Sequence, residues 1–231
     1  MLGAIVTLGG GGFSMSEEGS SDIDDYLLEL TGTAKPRVCF VGTASGDAAS
    51  YVERFFAAFD GRAHASALTL FASSARGYTD PSMLLDQDLI YVGGGSTANL
   101  LAVWRTHGVD SVLRTAAACG TVLAGISAGM NCWFEASSTD SFGQLAPLND
   151  GLGFLTGSAC PHYLSEDGRD QRFREWITSG ELPSGHAATD GVALVWRDGS
   201  LAEAISERPD GEAFIVTPAG QTPIPARRLR P

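Results

Sequence analysis

The sequence predicts an α/β fold built on a largely parallel sheet. Short apolar runs ending in glycine alternate along the chain with segments whose apolar residues recur at helical spacing, a βαβ rhythm. Glycine makes up 29 of 231 residues, against about 7% in ordinary proteins, so many tight turns and close backbone approaches are expected.

Taken in order, Ala4–Leu8 is the first expected strand, followed by the loop Gly9–Gly12. Ile23, Tyr26, Leu27 and Leu30 share a face of a helix over Asp22–Thr31. Pro36 stops that element before the strand Arg37–Val41. Asp47 is expected to cap a helix running to Phe59, whose Val52, Phe55, Phe56 and Phe59 form one face. Ala67–Phe71 reads as a weak strand and Leu89–Val92 as a strong one. Gly93–Gly95 then opens a helix along Leu100, Leu101 and Trp104, and a second helix covers Val109–Ala118. Thr121–Ile126 is the central strand, turning sharply at Ser127. A helix over Arg169–Thr178, a strand at Val192–Val195 and a hairpin turning at Arg197-Asp198-Gly199 complete the series. No repeat, long linker or low-complexity tract interrupts it, and one domain is expected over residues 1–231.

Composition narrows the function. Hydrophobic residues at 44% and charged ones at 18% exclude a disordered chain. A net charge of −12 argues against nucleic-acid binding, which needs clustered cations. The cluster Arg227, Arg228 and Arg230 reads as a solvated tail. The four cysteines form no C-x-x-C pair, so neither a disulfide scaffold nor a zinc site is expected, and a reducing cytoplasm suits them. The N-terminus lacks the basic region of a signal peptide. Thr115–Phe134 carries no charge and could span a bilayer by length, but its glycines and polar residues make it core; no membrane partner is expected.

The sharpest motif is Gly125-Ile126-Ser127-Ala128-Gly129, a G-x-S-x-G directly after an apolar strand and before a helix. Glycines on either side permit a tight turn that projects the serine oxygen from the sheet edge, near the positive end of the next helix. Gly93-Gly94-Gly95-Ser96-Thr97 also joins a strand to a helix, and its N–H groups suit either a phosphate or an oxyanion. Neither register of Gly9–Gly12 completes G-x-G-x-x-G, since the sixth position is Ser14 or Met15, and no Walker lysine is present. Dinucleotide binding is therefore not expected. Of the four histidines, His162 follows a short strand downstream of the serine and is the candidate base. His186 is a second candidate, while His64 and His107 read as structural. For the orienting acid both Asp190 and Asp140 remain open, each also readable as a turn aspartate.

Together these segments resemble the peptidase E family of serine peptidases, the aspartyl dipeptidase group that includes cyanophycinases. The resemblance runs over nearly the whole chain and rests on Gly9–Ser14, Thr43–Asp47, Gly93–Thr97, Gly125–Asn131, Pro161-His162-Tyr163 and Arg169–Glu175. It implies a flavodoxin-like sheet with helices on both faces. It also implies Ser127 as nucleophile, His162 as general base, and an oxyanion hole from Ala128 N–H with Gly94 or Gly95 N–H. The third catalytic member would be Asp190, with Asp140 the alternative from an older family assignment. Arg169 would grip the side-chain carboxylate of an N-terminal aspartate. The stretch from His162 to Arg169 is shorter than in the best-known members, so Arg172 or Arg174 could take that role, or aspartate preference could be lost. The expectation is a cytoplasmic serine dipeptidase acting on short peptides without cofactor or metal, with a homodimer compatible with the reading. The alternatives are a short-peptide hydrolase without aspartate preference, an amidotransferase-like enzyme, and a non-catalytic binding module on the same fold.

Overall fold

The computed structural model describes residues 3–16, 19, 21–72 and 77–230. The helices are α1 (Asp22–Leu30), α2 (Ala49–Phe59), α3 (Thr97–His107), α4 (Val109–Ala118), α5 (Ala128–Asn131) and α6 (Arg169–Ser179). The first strands are β1 (Ile5–Leu8), β2 (Arg37–Val41), β3 (His64–Leu68), β4 (Leu89–Val92) and β5 (Val122–Ile126). Next come β6 (Phe134–Phe142), β7 (Gln144–Leu148), β8 (Leu155–Cys160) and β9 (Gly185–Ala188). The last are β10 (Val192–Arg197), β11 (Ser200–Ser206), β12 (Ala213–Thr217), β13 (Gly220–Ile224) and β14 (Ala226–Arg228).

The larger sheet has the order β14-β11-β10-β1-β5-β4-β2-β3, and β1, β5, β4, β2 and β3 pair in parallel. Its strands alternate apolar side chains between two cores. Val38, Phe40, Leu89, Tyr91, Val122 and Ala124 face α1 and α2, packing against Phe13, Leu27, Phe55 and Phe59. Cys39, Val41, Ile90, Val92 and Leu123 face the other way, onto Leu100, Leu101 and Trp104 of α3 and Leu113 of α4. Helices therefore cover both faces of this α/β sheet, as the sequence predicts.

A second sheet, of order β13-β12-β9-β8-β6-β7, was not foreseen. It packs Phe134, Leu155 and Ala159 onto the α3–α4 side of the first sheet. Its other face meets Phe173, Trp176 and Ile177 of α6. Its strands are poor in large aliphatics: Ser137, Ser138 and Thr139 of β6 and Ser158 of β8 are buried, so the usual apolar signal is missing.

Three expectations are corrected. Asp47 does not cap α2, whose N-cap is Ala48. Its Oδ2 instead accepts the N–H groups of Leu70 (2.7 Å) and Phe71 (2.9 Å). That contact lies beyond β3, which runs three residues earlier than expected because β2 pairs with His64–Leu68. The C-terminal arginines are not a solvated tail. Ala226–Arg228 pairs with β11, Arg227 bonds Glu203 at 3.0 Å, and Arg230 reaches Asp22 and Asp25 at 3.0 and 2.6 Å. No helix among the described residues is long and apolar enough to cross a membrane.

Candidate active site

The carboxyl ends of β1, β4 and β5 meet the carboxyl end of β8 and the β9–β10 connection, and the candidate residues lie on those turns, where parallel sheets place their sites. The all-buried β5 delivers Ser127 in a backbone conformation of φ 57°, ψ −110°, closed to most L-residues. Such a residue costs about 1–3 kcal/mol and persists only where its surroundings dictate it. The flanking glycines supply that room. A Cβ on Gly125 would lie 2.1 Å from the Gly129 carbonyl oxygen, and one on Gly129 would lie 2.5 Å from that of Val92.

Ser127 Oγ stands 2.9 Å from His162 Nε2, and His162 Nδ1 stands 2.6 Å from Asp190 Oδ1. Burial opposes the Asp190 charge, but the hydrogen bond and charge of His162 outweigh it and hold the carboxyl below its ordinary value. The Ser165 hydroxyl adds to this and accepts the Asp190 N–H at 3.3 Å.

Three successive carbonyls, of Leu8 at the end of β1 and of Gly9 and Gly10 in the first loop, tie these segments together. Leu8 accepts the N–H of Ser127 (3.0 Å), Gly9 that of His162 (3.1 Å) and Gly10 that of Gly191 (3.0 Å). Gly10 also has no room for a side chain, since a Cβ there would sit 2.0 Å from Asp190 Oδ1. The loop left ambiguous by its sequence is thus a brace between the turns that carry Ser127, His162 and Asp190.

Asp140 lies elsewhere. Its side chain is 63% exposed, and its Oδ2 is 4.0 Å from Arg169 Nη2. It makes no hydrogen bond to His162 among the described residues. Arg169, 4% exposed, opens α6 and donates through Nε (2.8 Å) and Nη2 (2.5 Å) to Glu166 Oε2. Arg169, Asp140 and Glu166 line a hollow of about 140 Å³ together with Ser127, His162 and Gly95. Arg172 and Arg174 are outside it, pairing with Glu175 and Asp170 at 3.6 and 2.7 Å. Among the amides, Gly94 N–H donates to Tyr51 Oη at 3.3 Å. Ala128 is the first residue of α5, so its N–H has no intrahelical acceptor.

The other histidines stay apart. His186 stacks edge-on against Trp196, and burial lowers its pKa; His107 meets Tyr78 at 3.2 Å; His64 begins β3. No grouping of three His, Cys, Asp or Glu able to hold a metal occurs among the described residues. Glu166 and Tyr51 escaped sequence reasoning. Glu166 had a signal, its i,i+3 spacing to Arg169, whereas Tyr51 reaches Gly94 only through the fold.

A serine, an imidazole and a carboxylate in this relay can activate a hydroxyl for acyl transfer, and comparison with known proteins points the same way. The family model of peptidase family S51 matches residues 5–204. The uncharacterized peptidase YgaJ of Bacillus subtilis (strain 168) is 42% identical over 97% of this chain and 98% of its own length. Peptidase E of Streptomyces coelicolor is 27% identical over 73% of this chain and 72% of its own. Two solved structures share the fold. A peptidase from an acI-B1 Actinobacterium superposes with a TM-score of 0.73 and 18% identity, covering 98% of this chain and 95% of that one. A putative peptidase E protein from Listeria monocytogenes EGD-e superposes with a TM-score of 0.64 and 19% identity, covering 89% and 99%. With the family model spanning most of its length and a relative at 42% identity, the chain belongs to peptidase family S51, a family of serine peptidases.

Proposed function

We propose that the protein is a cytoplasmic serine dipeptidase that hydrolyses short peptides through an acyl-enzyme on Ser127. The observation that carries this reading is the unbroken Ser127–His162–Asp190 relay at 2.9 and 2.6 Å on a strained turn. His162 Nε2 takes the Ser127 proton as the oxygen attacks the scissile carbonyl. Asp190 holds the Nδ1–H tautomer and stabilises the imidazolium. The oxyanion is received by the N–H groups of Ala128 and Gly95, Gly94 being engaged by Tyr51. His162 then protonates the leaving amine, and water, deprotonated by the same imidazole, releases the acyl group.

The hollow beside Ser127 has room for one side chain, that of the substrate's first residue. Arg169 is already matched there by Glu166, and Asp140 adds a second carboxylate. This favours a broad first-residue preference over strict selection of aspartate. Ser127→Ala should lower kcat on a dipeptide by on the order of 10⁴-fold or more with an unchanged melting temperature. Retained activity in the pure variant would overturn the reading.

A further inference from the structure

A second hollow opens beside Gly94. It measures about 380 Å³ and is lined by Ser14, Ser50, Tyr51, Arg54 and Gly94. Gly94 lines this hollow and also approaches the serine: a Cβ built on it would lie 3.4 Å from Ser127 Cβ and 3.8 Å from Ser127 Oγ. A peptide whose scissile carbonyl rests at Ser127 with its first side chain toward Arg169 therefore directs its leaving residue past Gly94 into this hollow.

Each hollow holds one arginine, and the two differ in charge balance. Arg169 is buried and bonded to a carboxylate. Arg54 is exposed, donates from Nη1 to the Ser14 carbonyl at 2.7 Å, and forms no ion pair among the described residues. Ser14 ends the short 3-10 turn Gly12–Ser14, which directly follows the bracing loop, so this bond ties the guanidinium to the segment next to it. The face it leaves over presents N–H donors in a planar fork suited to a carboxylate. Tyr51, one turn earlier on α2, adds a hydroxyl to the same wall. Burial is the main influence raising the Tyr51 pKa, so it stays protonated and can donate; the Arg54 charge is felt there in the opposite sense.

We propose, building on the Ser127 reading, that Arg54 binds the C-terminal carboxylate of the substrate's leaving residue and so makes this peptidase selective for dipeptides. Covalent geometry supports the assignment. In a dipeptide that carboxylate lies only about 4 Å beyond the attacked carbon, and each further residue moves it about 3.5 Å away. A cation that receives this carboxylate in the hollow beside Gly94 thus measures peptide length. Arg54 acts on substrate binding and makes no contact with the reacting atoms.

The test compares Ala-Leu with Ala-Leu amide, which differ only in the charge of that terminus. The wild-type protein should favour the free acid by about 30-fold in kcat/KM, the scale of a charge-assisted pair in a partly enclosed site. In Arg54→Gln the preference should shrink to about threefold or less, by loss on the free acid alone, expressed mainly in KM. Arg54→Lys, which keeps the charge but not the fork, should fall between. Equal wild-type turnover of acid and amide, a preference that survives Arg54→Gln, or parallel loss on both substrates would each overturn the proposal. Fluorophosphonate labelling of Ser127 in the same preparations separates the two readings. If Ser127 labels and the preference is absent, Arg54 alone is misassigned; if Ser127 does not label, the catalytic reading has failed and the proposal falls with it.

Discussion

Gly10→Ala isolates the brace between the triad turns. Gly10 does not have a positive φ, so the added methyl acts through contact rather than through a left-handed backbone. That methyl would lie 2.0 Å from Asp190 Oδ1, 2.8 Å from its Cγ and 3.1 Å from His162 Cε1. Restoring an ordinary contact of about 3.4 Å moves the carboxylate by about 1.4 Å, which stretches the 2.6 Å bond to His162 towards 4 Å, beyond hydrogen-bond range. If the loop yields instead, it strains the bonds from Gly9 to His162 and from Gly10 to Gly191. Either adjustment costs about 1–3 kcal/mol of stability, as overpacking does elsewhere. It should also lower kcat by about 10²–10⁴-fold, the range spanned by weakening and abolishing the acid's hold on the imidazole. Dipeptide hydrolysis under saturating substrate measures the rate, and urea unfolding the stability. Because both changes act on one bond, Gly10→Ala combined with Asp190→Asn should be little slower than Asp190→Asn alone. A Gly10→Ala protein within about threefold of wild-type kcat would show that the loop does not position Asp190.

Three further outcomes follow from the same geometry. Asp190→Asn should reduce kcat by orders of magnitude and Asp140→Asn by less than about tenfold, at matched melting temperatures; the reverse ranking would hand the orienting role to Asp140. Glu166→Gln leaves the Arg169 charge opposed only by the exposed Asp140 at 4.0 Å, so the kcat/KM ratio of Asp-Leu to Ala-Leu should rise by about tenfold; an unchanged ratio would show that Arg169 does not meet the first side chain. Asp24 is fully buried in α1, and desolvation pushes its carboxyl from 3.8 up to about 7. Between those values the unfolded chain has lost this proton while the folded chain keeps it, so stability declines as pH rises through that window, by about 4 kcal/mol in total. Asp24→Asn should flatten that decline in urea unfolding at pH 5 and pH 8, and parallel slopes for the two proteins would refute it.

How far the sequence could be read depended on where its signals were local. The parallel strands and the sharp turn at Ser127 were legible because each is a contiguous pattern: an apolar run, a glycine turn, a helix start. The hairpin at Asp198-Gly199 was legible for the same reason, both residues taking the positive φ that such turns need. The second sheet was not, because Phe134–Phe142 and Leu155–Cys160 bury serines and threonines where aliphatics were looked for. Asp47 and the C-terminal arginines were misread because their partners, Leu70, Glu203 and Asp22 among them, are distant in sequence. Nothing short of the fold could separate Asp190 from Asp140. The crossing of the β9–β10 turn beneath Gly10 brings Asp190 to the imidazole, while the β6–β7 hairpin carries Asp140 to Arg169. Arg169 was singled out from sequence, but its bond to Glu166, which changes what a substrate would meet there, was not foreseen.

The most direct measurement maps the covalent adduct left by a fluorophosphonate. Intact-mass spectrometry of the treated protein should show one added phosphonyl group, and peptide mapping should place it on the segment containing Ser127. Ser127→Ala should take up none, and labelling should eliminate dipeptide hydrolysis in proportion to occupancy. A phosphonyl group on another serine such as Ser14 or Ser96, or full peptidase activity in protein labelled at Ser127, would contradict the assignment of Ser127 as the nucleophile.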